Sequence, residues 1–365
     1  MTNIKKIKTA ILGAGGAGRS IMGKDIAEHH ALYDLVGFHD PFPAAVEKAK
    51  AQYPAATFYP TYEALLADPE VELVLIATGP HQAHPGQAIQ ALKAKKHCAV
   101  IKPFCYTVAE ADAMIATAKE SDRIISSFQN VRWSIDFLLA METLQKRDFG
   151  RLLYVFSNPG GGHGANDHLY TFGSHYLDQL LLLGQGYPVE ISATFWNPEE
   201  TDANLQGCSV IQLRLNNGVL ATINTLPPSL NAGSRRDLGA RFHVVGTKEH
   251  YIGWRVDQLV DLMREHGYVA GDEEVPYYTH EKPSFLEYRW KIPTYWESLA
   301  ASIRDGAPLL IPPEHTRQIA KIYEAATRSS QTGKTILLDD DGPKPFPAFN
   351  VLGKVKAPWV NTFPF

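Results

Sequence analysis

The sequence predicts an α/β chain, in which a doubly wound parallel sheet is followed by an α+β domain with an open, largely antiparallel sheet. Three observations predict it. A glycine turn, Gly13-x-Gly15-x-x-Gly18, lies between a short apolar run and a helical stretch. Over the first third of the chain, apolar runs alternate with helical ones in the rhythm of βαβ units. From Arg151 that rhythm gives way to longer strand-like runs with few helices between them.

Ile7, Ala10, Ile11 and Leu12 form the first strand, and the glycine turn delivers the chain into a helix over 19–29. A second apolar strand, 35–40, ends in Asp40. Helices at 43–52 and 62–67 precede a third strand over 71–78, whose near-continuous hydrophobicity suits a sheet buried on both faces. A helix over 84–95, a strand over 97–101 closed by Lys102-Pro103, a helix over 108–120 and a strand over 123–128 complete the alternation. A sheet of this kind takes its ligand at the carboxyl ends of the strands. Beyond it, strands are expected at 152–157, 189–196, 209–215, 218–225 and 240–245, with Asn216-Asn217-Gly218 as a tight hairpin turn. Helices are expected at 167–183, 295–304 and 313–332, before a tail rich in proline and aromatics. The chain therefore reads as a Rossmann domain over 1–129, an α+β substrate and oligomerisation domain over 130–340, and a C-terminal tail over 341–365. The helix at 313–332 is expected to pack back on the first domain.

At 365 residues the chain exceeds what one core organises, which agrees with two domains. A net charge of −4 gives no reason to expect nucleic acid or an anionic membrane surface as partner. No apolar run approaches the roughly 20 residues that span a bilayer. The N-terminal lysines run directly into the first strand with no cleavable apolar segment, so a cytoplasmic protein is expected. Three widely spaced cysteines, Cys98, Cys105 and Cys208, make no disulfide framework and read as structural.

The strand–turn–helix context gives the glycines separable jobs. One permits the tight turn, one lets backbone N–H groups approach a pyrophosphate, and one lets the helix pack close to the strand. The helix N-terminus adds unpaired donors and the positive end of its dipole. Gly13, Gly15, Gly16, Ala17 and Gly18 are thus the candidate phosphate cradle. Asp40 follows Gly18 by 22 residues, at the end of the second strand. A carboxylate there accepts hydrogen bonds from both ribose hydroxyls and repels a 2′-phosphate, which favours NAD over NADP. The alternative for Asp40 is a turn or helix-capping role before Pro41, and a guanidinium at Arg19 could also meet a phosphate.

The order of motifs resembles the glucose–fructose oxidoreductase/inositol dehydrogenase/rhizopine-catabolism (Gfo/Idh/MocA) family of sugar and polyol dehydrogenases. Thr78-Gly-Pro80-His-Gln-Ala-His84 resembles the family's Thr-Pro-x-x-x-His turn, and Lys102-Pro103 stands where the family has Glu-Lys-Pro. Phe128-Gln-Asn130-Val-Arg132-Trp133-Ser-Ile-Asp136-Phe137 is similar to a block of the scyllo-inositol dehydrogenase-like subgroup, and Gly173-Ser-His175-Tyr-Leu-Asp178 to Gly-x-His-x-x-Asp. The resemblance runs from about Ile7 to Asp339. It implies oxidation of a secondary CH–OH group by hydride transfer to nicotinamide. In that reading His175 takes the hydroxyl proton and Lys102 supplies positive charge beside the reacting oxygen. It also implies substrate contacts from Asn130, Arg132 and Thr171, and cofactor contacts from Thr78, Pro80, His84, Lys102 and Trp133; simple interdomain packing is the alternative for Asn130, Arg132 and Trp133.

Two departures stand out. Ile101 replaces the family's glutamate before the lysine, and Thr171 replaces an aspartate one helical turn before the histidine. Asp178 and Asp167 are the candidate acids to stand in. The segment 158–168 sets His163, Asp167 and His168 beside the expected substrate. A divalent ion held by these and His175 is the competing reading. No tight metal-ligand spacing supports it, so a sugar-binding loop and no metal are expected. The resulting expectation is an NAD-dependent dehydrogenase of a sugar, glycoside or cyclic polyol, with oxidation of a glycoside at C3 favoured by the altered loop and missing acids. The alternatives are a non-catalytic NAD-binding sensor and a redox-neutral lyase or epimerase. A homo-oligomer is expected from the open sheet.

Overall fold

The central apolar runs of the first third become strands buried on both faces, nearly every residue of 7–12, 73–76, 97–101 and 125–128 being enclosed. In the computed structural model, which describes residues 5–158, 170, 173–195, 209–225, 241–253, 292–347 and 349–352, the chain divides into two compact units. The first comprises Met1–Phe128 with Pro293–Ala320, and the second Gln129–Ile292 with Lys321–Phe365.

In the first unit β1 (Ile7–Leu12), β2 (Tyr33–His39), β3 (Thr57–Phe58), β4 (Leu73–Ile76), β5 (His97–Ile101) and β6 (Ile125–Phe128) form one parallel sheet in the order β3-β2-β1-β4-β5-β6. The strand order reverses between β1 and β4, which places the ligand crevice there. Helices α1 (Gly23–Glu28), α2 (Pro43–Gln52), α3 (Tyr62–Ala67), α4 (His84–Lys93) and α5 (Val108–Ser121) connect the strands. Val74, Ile76, Ala88, Leu92, Cys98, Val100 and Met114 belong to one buried cluster, so Cys98 serves as a small hydrophobe. The two-residue edge strand β3 is absent from the sequence reading. It forms because Gly37 has no Cβ; one there would lie 2.6 Å from the Thr57 carbonyl oxygen.

The second unit contains α6 (Ile135–Lys146), β7 (Leu152–Ser157), α7 (Gly173–Gly184), β8 (Pro188–Phe195), β9 (Ser209–Leu215), β10 (Leu220–Asn224), β11 (Phe242–Gly246) and β12 (His250–Gly253). With β13 (Ile336–Leu337) the strands order as β12-β11-β7-β10-β9-β8-β13, antiparallel except for the β7–β10 pair. The open, largely antiparallel sheet is therefore present, and α7 packs on one face of it against β7 and β10. Gly218 takes φ +83° between β9 and β10, as the Asn-Asn-Gly turn requires. Phe349 of the tail is buried against Trp133 and Phe137, and the half-buried Phe346 packs against Tyr187. Residues 353–365, with Trp359, Phe363 and Phe365, lie outside the described residues.

Helix α8 (Tyr295–Asp305) belongs to the first unit. A capping box of Thr294 and Glu297 starts it and Gly306 in the left-handed region ends it. The Tyr33 hydroxyl donates to the Trp296 carbonyl at 2.6 Å, the Trp296 indole to Asp25 at 2.9 Å, and Arg304 to Glu72. Helix α9 (Pro313–Thr332) is divided between the units at Ala320.

Candidate active site

The glycine turn after β1 shows which glycine does what. Gly13 has φ +101°, and a Cβ there would lie 2.6 Å from the Ala77 carbonyl oxygen. A Cβ on Gly18 would lie 1.8 Å from the Gly13 carbonyl oxygen. These two are obligatory for the turn and for the close start of the helix. Gly15 and Gly16 differ: nothing lies within 4 Å of a Cβ on either, and both face the cleft. The loop is bare where a phosphate must approach the backbone. The helix then begins with one π-helical turn, Gly18–Met22, in which the Gly23 N–H donates to the Gly18 carbonyl. The Arg19 carbonyl accepts a hydrogen bond from the Tyr53 hydroxyl at 2.8 Å. Arg19 itself donates to Gln52 at 2.9 Å.

Asp40 is tied to this loop. One carboxylate oxygen accepts from the Ala14 N–H at 2.7 Å and the other from the Phe42 N–H at 2.8 Å. A carboxylate has about four lone-pair sites, so these two bonds leave it able to accept further hydroxyl donors. The turn role and a ribose-binding role are compatible in one side chain. Asp40 lines a cleft of about 650 Å³ with Ala14, Gly15, Gly16, Thr78 and Pro80. The bare glycines, the carboxylate and the open volume fit a dinucleotide.

The turns after β4 and β5 are joined by His84. Its ring is fully buried, with Nδ1 2.8 Å from the Pro103 carbonyl oxygen and Nε2 3.0 Å from that of Thr78. Burial holds its pKa below the ordinary histidine range, against the pull of the two carbonyls. A neutral ring donates from only one nitrogen, so it can bond one of these two carbonyls at a time. His84 therefore positions the loops rather than lining the cleft. Thr78 donates to Gln87 at 2.6 Å, and Lys102 is half-buried directly before Pro103.

In the second unit His175 lies in the first turn of α7 and is 4% exposed. Arg132 and Asp178 form a two-pronged ion pair, Nε–Oδ2 and Nη2–Oδ1 both at 2.6 Å, with each side chain 1% exposed. Arg132 thus faces Asp178 inside the fold, and Asp178, the candidate orienting acid, faces Arg132. Trp133 is 5% exposed, its ring packed edge-on against Phe349, and Asn130 is half-buried in the turn before it. Beside this pair, Arg241 donates to Asp136, Ser157 and Gln179, and its guanidinium lies over the Tyr176 ring at 4.2 Å. No motif in the sequence signals this second cluster, because Arg241 comes from 105 residues beyond Asp136. His163, Asp167, His168 and Thr171 lie outside the described residues. Among the described residues no three His, Cys, Asp or Glu side chains converge as metal ligands, and no helix is long and apolar enough to cross a membrane.

Residues 7–129 match the NAD-binding Rossmann-fold domain of an oxidoreductase family, and residues 154–338 match that family's C-terminal α/β domain. The chain belongs to the Gfo/Idh/MocA oxidoreductases. It is similar to the scyllo-inositol 2-dehydrogenase (NADP(+)) IolW of Bacillus subtilis, 26% identical over 92% of this chain and 97% of the relative. It is also similar to the UDP-N-acetylglucosamine 3-dehydrogenase of Acidithiobacillus ferrooxidans, 28% identical over 60% of this chain and 66% of that one. Among solved structures, the WlbA dehydrogenase of Bordetella pertussis, in complex with NADH and UDP-GlcNAcA, shares the fold with a TM-score of 0.71 at 20% identity, covering 92% of this chain and 99% of that one. This Gfo/Idh/MocA chain thus carries an NAD-binding Rossmann domain whose cleft is lined by its own Gly15, Gly16 and Asp40.

Proposed function

We propose that this chain is an NAD-dependent dehydrogenase that oxidises a secondary hydroxyl of a sugar, glycoside or cyclic polyol. The observation that carries the reading is Asp40, fixed by the Ala14 N–H to the bare glycine loop inside one cleft. A fixed negative charge there accepts ribose hydroxyls and opposes a 2′-phosphate, which supports NAD over NADP. The similarity to an inositol dehydrogenase and a sugar-nucleotide 3-dehydrogenase supports ring hydroxyls as the reacting groups, and the second of these supports C3 of a glycoside.

Bound NAD would supply the hydride acceptor at this cleft. The chain's own residues do the rest. His175 accepts the proton of the reacting hydroxyl on an imidazole nitrogen, and the Lys102 ammonium stabilises the negative charge that grows on that oxygen. His84 holds the backbone on which Lys102 is carried, through the Pro103 carbonyl. Asn130, His163, Asp167, His168 and Thr171 are the proposed substrate contacts, and the buried Arg132–Asp178 pair stiffens the start of α7 under His175. The second sheet, with Leu220 and Ile252 exposed, is the proposed self-association surface.

The test is absorbance at 340 nm with NAD and a panel of inositols, monosaccharides and methyl glycosides. Reduction is expected with at least one of them, and Lys102→Ala and His175→Ala should each lower kcat by about a hundredfold or more while still binding NADH. No reduction with any member of the panel would overturn the dehydrogenase reading in favour of an NAD-binding sensor.

A further inference from the structure

Val155 and Leu215 of the second sheet reach α7 at Gly184, so their chain neighbours Tyr154 and Arg214 point to the opposite face. Ladder register shows what else shares that face. Leu220 of β10 stands opposite both Arg214 of β9 and Tyr154 of β7, and Tyr154 stands opposite Val245 of β11. At one end Arg214 meets Glu190 of β8, and Glu190 meets Leu337 of β13; at the other, Val245 meets His250 of β12. Residues paired in register lie on the same side of a sheet, so these form one row across all seven strands. In the next row Phe156 stands opposite His243, and His243 opposite Ile252. The rows divide the face into halves. Over β8 and β9 it is polar, with Glu190 and Arg214 paired and Ser192 opposite Gln212 beside them. Over β10, β7, β11 and β12 it is apolar and aromatic, and Leu220 and Ile252 stand exposed.

Two histidines sit in the apolar half. The His243 ring lies edge-on to His250 at 6.3 Å between centroids and to Tyr154 at 6.4 Å. Burial first, and then His250, lower the His243 pKa below the ordinary histidine value. The side chains beside the two rings on this face, Tyr154 and Phe156 of β7 and Ile252 of β12, include no carboxylate to hold an imidazolium. The charged groups of the β11–β12 turn are matched elsewhere: Glu249 pairs with Arg147 at 3.7 Å and Lys248 with Asp148 at 2.6 Å. A second copy turned about a two-fold axis fits this face by charge as well as by apolar surface, because an acid and a base stand side by side in it and the rotation sets each against its opposite. We propose that this face pairs with a second copy of the chain, and that protonation of His243 and His250 releases the pair. The inference rests on the self-association reading and adds its control by pH. Docking strips water from both rings and so favours their neutral form, and the separated copies take up protons that the pair excludes. The histidine contribution to pairing is therefore full above about pH 6.5 and fades as pH falls below it.

The test is sedimentation velocity on the full chain, on a His243→Gln, His250→Gln double variant and on Leu220→Asp, each at about pH 7.5 and about pH 5.5 at one ionic strength. Wild type should associate at the higher pH and bind itself about a hundredfold or more weakly at the lower, with its near-UV circular dichroism unchanged. The double variant should stay associated at both, and Leu220→Asp should lose association at both. Equal association of wild type at the two pH values, with Leu220→Asp separated, would overturn the switch and leave the interface standing. Acid release of the double variant equal to that of wild type would overturn it too, as would release accompanied by loss of the near-UV signal, which is unfolding. Association retained in Leu220→Asp, or a wild type monomeric at the higher pH, would instead overturn the self-association reading itself.

Discussion

Single residues set the limits of the cofactor loop. Gly13 and Gly18 are sterically closed positions, so Gly13→Ala and Gly18→Ala should each lower Tm markedly, the first through its left-handed φ and the second through collision with a backbone carbonyl. Gly15→Ala faces open space, so it should keep its Tm and instead weaken NADH binding, read by fluorescence titration. The sequence motif alone treats the three glycines alike in demand, and only the backbone geometry separates them. At Asp40 the sequence spacing pointed to a ribose carboxylate or to a turn residue, and the side chain's two backbone bonds show the turn role present. Asp40→Asn should narrow the preference for NADH over NADPH by about tenfold or more, because it removes a charge that opposes the 2′-phosphate.

At the scale of elements, a half-buried histidine and a buried ion pair tie neighbouring segments together. His97 Nδ1 on β5 accepts the N–H of Ile124 just before β6 at 3.0 Å. Burial first, and then Arg123, push its pKa down to about 4. The unfolded chain binds this proton near pH 6.5, so the stabilisation is fully present above that pH and is lost as pH falls toward about 4. Its loss should amount to roughly 2–3 kcal/mol, read as the pH dependence of the denaturant midpoint, and His97→Gln should flatten that dependence. In the second unit, Arg132→Ala should cost about 3–5 kcal/mol by leaving Asp178 buried without its partner, whereas a paired Arg132→Met, Asp178→Leu change should cost less. Helix α6 was not legible in the sequence. Its residues are buried nearly all round, including Asp136, Glu142 and Gln145, so no polar stripe marks a helical period.

For the whole molecule, the alternation of apolar and helical runs made the parallel sheet legible, and the longer runs after Arg151 made the second sheet legible. What sequence pattern does not carry is long-range partnership. Helix α8 reads as part of the C-terminal half, yet its Trp296 and Arg304 pair with Asp25 and Glu72 of the first. The Arg241 cluster beneath α7 is likewise assembled from separate segments, with polar residues that look like surface in one dimension.

The central claim, hydride transfer from a ring carbon, is tested most directly by isotope. Protein incubated with NAD and a panel of C-deuterated inositols and methyl glycosides should yield NADH that carries one deuterium, seen by mass spectrometry, from at least one member. His175→Ala should slow the appearance of the label by about a hundredfold or more while still binding NADH. Dinucleotide recovered without deuterium from every member, by a protein that binds NADH, would contradict the account.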